Sequence, residues 1–126
     1  MIKLCYQEYS TKVTFDAHRE FLSRRGQSLG YYIGKALLAT YQSQDLIVYE
    51  QMQAIKEAVP YDIALDVFDC ITDEKVTKQE LDDAMFRVDW IPTERDGDMG
   101  EPWTYELSKL ATDYSKMYNS LAVKKK

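Results

Sequence analysis

Side chains able to do chemistry are few and scattered in this sequence. One histidine, His18, and two cysteines, Cys5 and Cys70, could in principle ligate zinc or begin nucleophilic catalysis. Zinc sites draw on closely spaced ligand pairs, and a nucleophile needs a base and an orienting group beside it. Cys5 and Cys70 stand far apart and form no CxxC pair, and no Ser, Cys or Asp motif surrounds His18. His18 therefore reads as a solvent-facing or partly packed helix residue rather than a general base. The stretch Asp96-Gly97-Asp98-Met99-Gly100-Glu101 alternates oxygen ligands in a manner suited to calcium. Its register fails, because the sixth position counted from Asp96 is Glu101, where an EF-hand loop requires glycine. The expectation is a protein with no catalytic residues, no cofactor and no metal.

With 126 residues, 45% apolar and 29% charged, the chain suits one domain, 1–126, with a core built without disulfides. Its formal charge of −5 is spread along the body, and the one basic run is Lys124-Lys125-Lys126. Phosphate binding needs a concentrated basic face, so nucleic acid is not the expected partner. No apolar stretch approaches the roughly 20 residues that span a bilayer. With no signal peptide ahead of the cysteines, free thiols in a reducing cytoplasm are expected.

The most legible elements lie between Val76 and Leu121. Thr77-Lys78-Gln79-Glu80 is a Thr-x-x-Glu capping box that opens a helix, along which Leu81, Ala84, Met85 and Val88 form an apolar stripe. Trp90-Ile91-Pro92 ends it, because the residue before proline is pushed out of helical geometry. A polar loop follows, and Glu101-Pro102-Trp103 opens a last helix with Trp103, Leu107, Leu110, Tyr114, Met117 and Leu121 at alternating steps of four and three. Such spacing approaches a heptad seam, able to pack on the domain or on another copy, so partial oligomerisation through it is expected.

Upstream, residues 2–13 carry strand-forming types with Gln7-Glu8 as a turn, a short hairpin that would have to lie on helices. Thr14 or Asp16 caps a helix ending at Gly26, with Phe15, Ala17, Phe21 and Leu22 as its apolar positions. Ser28 caps the next, whose Leu29, Tyr32, Ile33, Ala36, Leu37 and Tyr41 suggest the buried centre of the domain. Gly30 and Gly34, four apart, are small enough to permit close helix packing. Ser43 or Asp45 begins a fourth element carrying Leu46, Ile47, Val48, Met52, Ile55 and Val59, which Pro60 interrupts. Ile63, Ala64, Val67, Phe68 and Ile71 continue the helical period beyond it. The fold class is mainly α, an irregular bundle of about six helices with an N-terminal hairpin as an optional addition and a frayed tail at 122–126.

Ten tyrosines are present, and Tyr31, Tyr49, Tyr105 and Tyr118 fall outside the apolar stripes. Tyrosine offers large contact area at low entropic cost, so such rings mark either the edge of a small core or an interface. An acidic, tyrosine-rich face would also suit a small phage or bacterial regulator that inhibits a host protein.

From Glu80-Leu81-Asp82-Asp83-Ala84-Met85-Phe86-Arg87-Val88-Asp89-Trp90 through the acidic loop to Glu101-Pro102-Trp103 and the aromatic helix, the chain resembles the tail assembly chaperones of long-tailed bacteriophages. The similarity spans roughly residues 76–118 and is one of size, helix order and local wording. The resemblance implies a helical, non-enzymatic protein of the host cytoplasm that binds the tape-measure protein, helps recruit tail-tube subunits and leaves before the virion is finished. It also implies a longer product made by ribosomal frameshifting, for which Lys124-Lys125-Lys126 offers a slippery codon run. The apolar grooves such a client needs are expected at the corner between the last two helices, with Phe86, Trp90, Met99, Trp103 and Tyr105 as partner contacts.

Overall fold

A computed structural model of the chain describes residues 2–4, 7–73, 75–89 and 102–124, with the backbone alone for Asp89 and residues 117–124. Among the described residues, two short strands, β1 (Ile2–Leu4) and β2 (Gln7–Tyr9), precede six helices. These are α1 (Phe15–Arg25), α2 (Leu29–Gln42), α3 (Val48–Ala58), α4 (Tyr61–Ile71), α5 (Lys78–Asp89) and α6 (Trp103–Lys124). The mainly α bundle with an N-terminal hairpin is the architecture expected.

Local chemistry explains the starts of α1, α2 and α5. Thr14 accepts from the Ala17 amide at 3.1 Å, Ser28 from the Tyr31 amide at 3.1 Å, and Thr77 from the Glu80 amide at 3.1 Å. Each satisfies an amide that the first helical turn leaves without a partner. Gly26 ends α1 at φ 70°, in the left-handed region open to glycine, and its amide donates to the Leu22 carbonyl. The fourth element departs from expectation: α3 starts at Val48 without a side-chain cap, and Ser43 closes α2 instead, its hydroxyl donating to the Ala39 carbonyl at 2.6 Å. A serine hydroxyl serves either end of a helix, and the chain runs non-helically through residues 43–47 before α3 begins.

The hairpin pairs Ile2 with Tyr9 and Leu4 with Gln7. Gln7 and Glu8 are thus strand residues and not the turn. Two strands are marginal alone, and here Ile2, Leu4 and Tyr9 are buried while β1 packs on α5 and α6. Glu106, enclosed in the first turn of α6, accepts from the Lys3 amide at 3.2 Å and faces Lys109 Nζ at 3.4 Å. A carboxylate at this end of a helix is favoured by the helix dipole.

The core gathers Phe21, Leu29, Ile33, Phe68, Ile71, Leu81, Met85, Trp103 and Leu107. It joins elements distant in sequence, since α1 packs on α4 and α2 on α6 as well as on α3. The α5 stripe is buried as read from its period. On α1, however, only Ala17 and Phe21 are buried, and Phe15 and Leu22 face solvent. They lie on the opposite side of the helix from Ala17, beyond the reach of the line on which α4 rests. Along α6, Trp103, Leu107 and Ala111 are buried with Leu110 and Tyr114 partly so, and the side chains of Met117 and Leu121 lie outside the described residues. A Cβ on Gly30 would meet the Tyr114 hydroxyl at an ordinary 4.0 Å, and one on Gly34 would meet open space. Neither glycine is needed for close helix packing within the chain.

Candidate functional site

α2 is apolar on two sides. Leu29, Ile33, Ala36 and Ala39 enter the core, while Tyr31, Leu38 and Tyr41 on the other side are 45%, 57% and 57% exposed. Tyr41, expected in the core, belongs to this outer face. A helix apolar all round is normally covered all round. Its one charged residue, Lys35, lies over the Tyr31 ring with Nζ 5.2 Å from the centroid, one turn before Leu38 on the same side of the helix.

The second feature is a groove of about 360 Å³ at the junction of α2, α3 and α6. Val48, Met52 and Ile55 form its apolar side. Thr40, Ser43, Thr104 and Ser108 supply hydroxyls, with Tyr105 and Pro102 at the α6 end. Val48 at the mouth is 67% exposed, and Leu46, Ile47 and Tyr49 beside it are exposed too. Leu46 and Ile47 precede α3 while Val48 and Tyr49 open it, and this run of four consecutive apolar residues, all exposed, is the signal in the sequence that marks the rim of the groove. Thr40 and Ser108 bond each other at 2.8 Å, and Gln51 Nε2 donates to the Leu46 carbonyl at 2.8 Å. The Thr104 hydroxyl is enclosed and has no hydrogen-bond partner among the described residues.

The expected contact residues do not gather in one place. Tyr105 lines the groove, but Phe86 stands exposed on α5, outside its walls. Trp103 is fully buried, its ring edge-on to Tyr61 with centroids 5.8 Å apart, and it offers no surface to a partner. Tyr61 in turn donates to Asp82 Oδ1 at 2.6 Å, so this indole ties α4, α5 and α6 together. Trp90 and Met99 lie outside the described residues, as does the acidic loop. No family model, curated protein or solved structure matches this chain.

Charge is concentrated elsewhere, at the seam of α1, α4 and α5. Asp66, almost wholly buried, meets Arg25 Nε at 2.6 Å, Lys78 Nζ at 3.0 Å and Arg24 Nη1 at 3.5 Å. Burial alone would raise its pKa, but the bonds from Lys78 and Arg25 hold it below the usual carboxylate value. Arg24 also bonds Asp69 and Glu20, and the Asp69 bond raises its pKa against the opposing effect of burial. An adjoining cavity of about 620 Å³ is lined by Lys12, Glu20, Arg24, Asp69, Cys70 and Asp73 among others. Burial pushes the Cys70 thiol up to about 11, so near neutral pH it is protonated and a poor nucleophile. Among the described residues no three His, Cys, Asp or Glu side chains form a metal-sized group. His18 sits beside Tyr114, ring centroids 6.1 Å apart.

Proposed function

We propose that this protein works without catalysis, by binding another polypeptide, and that it is an assembly chaperone in phage tail morphogenesis. In this reading it covers apolar surface of the tape-measure protein in the host cytoplasm and helps recruit tail-tube subunits. The observation that carries the reading is the uncovered apolar face of α2, Tyr31, Leu38 and Tyr41, on a helix with a single charged residue. Exposed apolar surface of this kind is retained where it meets a partner. The resemblance over residues 76–118 supports the choice of client.

Co-expression with the long helical tape-measure protein of the same genome, followed by size-exclusion chromatography, tests it. The two are expected to co-elute, with more of the client soluble. Leu38→Lys combined with Tyr41→Lys is expected to abolish co-elution and leave the melting temperature unchanged. A client that stays insoluble and separate from the wild-type chain refutes the proposal.

A second reading, a small regulator that inhibits a host protein, is favoured by the exposed rings Tyr31, Tyr41 and Tyr49. Gene position separates the two: a place between the tail-tube and tape-measure genes supports the first, and an early-expressed cluster supports the second.

A further inference from the structure

Helix α3 is held to the bundle more lightly than its neighbours. Of its eleven residues Ile55 is buried and the rest are half-buried or exposed, whereas α4, of the same length, buries Ala64, Leu65, Asp66, Val67, Phe68 and Ile71. Its start lacks a side-chain cap, and the exposed Leu46 and Ile47 lead into it. Along its first two turns runs the groove of about 360 Å³, so Val48 and Met52 border open space where a closely packed interior would give them contacts. The opposite wall is bonded without help from α3. Thr40 and Ser108 bond each other at 2.8 Å, Thr112 donates to the Ser108 carbonyl at 3.0 Å, and Ser43 donates to the Ala39 carbonyl at 2.6 Å. Water replaces a neighbouring helix at less cost against hydroxyls than against an apolar wall. The segment also has natural ends. Gln51 Nε2 donates to the carbonyls of Leu46 at 2.8 Å and Gln44 at 3.3 Å, which ties the approach to the helix it precedes. At the other end Val59 is fully buried and extended, φ −133° and ψ 93°, and Pro60 has no amide with which to carry helical bonding from α3 into α4.

We propose that residues 44–58 form a hinged arm, which swings away from the α2–α6 seam as one unit about Val59 and Pro60 while the rest of the bundle stays folded. Openings of this kind draw on the least buried parts of a structure. Closed, the arm is latched by Ile55. Open, it turns Met52 and Ile55 outward beside Leu46, Ile47 and Val48, so the chain alternates between a covered and an uncovered set of apolar side chains without unfolding. This motion belongs to the free chain and holds whatever polypeptide it binds.

Native-state hydrogen exchange of the full chain, read by NMR at a series of low urea concentrations, tests this. Amides of residues 52–58 are expected to exchange on the order of 100-fold faster than those of residues 65–71, with a shallower dependence on urea, because the arm opens without exposing the whole core. Two variants separate a local opening from a global one. Thr77→Ala removes the cap of α5, which stays folded when the arm opens. It is expected to speed exchange at residues 65–71 about fivefold and to leave residues 52–58 unchanged. Ile55→Val weakens the latch itself, which is lost in both kinds of opening, and is expected to speed both sets about fivefold. Equal rates and equal urea slopes in the two helices overturn the proposal. So does acceleration of residues 52–58 by Thr77→Ala to the same degree as residues 65–71, or a steady fall in rate from residue 52 to residue 58, which marks a fraying helix end in place of a hinged unit.

Discussion

Arg25 Nε donates to Asp66 Oδ2 across 2.6 Å, joining the last turn of α1 to the middle of α4. Lys78, at the first position of α5, meets the other oxygen of the same carboxylate. One enclosed acid thus ties three helices, while its cations keep contact with water: the Asp66 side chain is 6% exposed and those of Arg25 and Lys78 are 28% and 54%. Breaking a fully buried pair costs about 3–5 kcal/mol. The stranded cations here can hydrate, so Asp66→Ala is expected to cost less, about 2–3 kcal/mol. Urea unfolding measures it, and a loss under about 0.5 kcal/mol would show that the carboxylate is dispensable.

Acid should loosen the same seam. The folded pKa of Asp66 lies below its ordinary value of 3.8, so its contribution is fully present above that pH and is lost as pH falls through the lower folded value. Stability against urea is expected to decline more steeply below about pH 4 in the wild type than in Asp66→Asn. Parallel declines would remove Asp66 as the cause.

Cys70 behaves in the opposite sense. Its folded pKa is raised from 9.0 to about 11, so the neutral thiol favours the folded state below pH 9, and that contribution fades as pH rises towards 11. In a Cys5→Ser background, alkylation by iodoacetamide is expected to be slow at pH 8 and to accelerate above pH 10. Fast labelling at pH 8 in the folded protein contradicts the burial of this thiol.

Aromatic truncations should separate core from surface. Trp103→Ala removes a fully buried indole and is expected to cost about 3–5 kcal/mol. Phe86→Ala and Tyr105→Ala, both at exposed positions, should fall within about 0.5 kcal/mol of wild type. Thermal melts of the three variants decide this, and a mild Trp103→Ala would contradict its place in the core.

Helix ends offer a finer check. Thr14→Ala and Ser28→Ala each remove a bond to a first-turn amide and should cost about 1 kcal/mol. Gly26→Ala forces a side chain into φ 70° and should cost about 1 kcal/mol. Chemical denaturation of the three single variants provides the values, and unchanged midpoints would mean that these ends fray in solution.

Much of the fold could be read from residue order because helix formation is local. Caps at Thr14, Ser28 and Thr77, the stop at Gly26 and the α5 stripe depend on neighbours within four residues, and each lies where it was read. Period says which residues share a side of a helix, but not how wide the covered strip is. Phe15 and Leu22 were therefore assigned to a core that α4 leaves short of them, and Tyr41 to one that ends at Ala39 and Leu37.

Of the contact residues expected from the sequence, the structure describes Phe86, Trp103 and Tyr105 and sets them apart from one another. Apolar crevices between helices were expected at the corner of the last two, around Trp103, yet that indole is buried against Tyr61. The groove lies where α2, α3 and α6 meet, and of the three named contacts among the described residues, Phe86, Trp103 and Tyr105, it is Tyr105 that lines it.

From residue order alone came the helices and several of their ends, since these follow from bonds between near neighbours. Tertiary structure decided which apolar residues remain uncovered, that Asp66 is shared by three cations, and that Thr104 is enclosed beside α3. Those outcomes depend on α2 meeting α6 and α1 meeting α4. Pairings between segments so far apart arise from how whole faces fit together, and no short stretch of the chain encodes them.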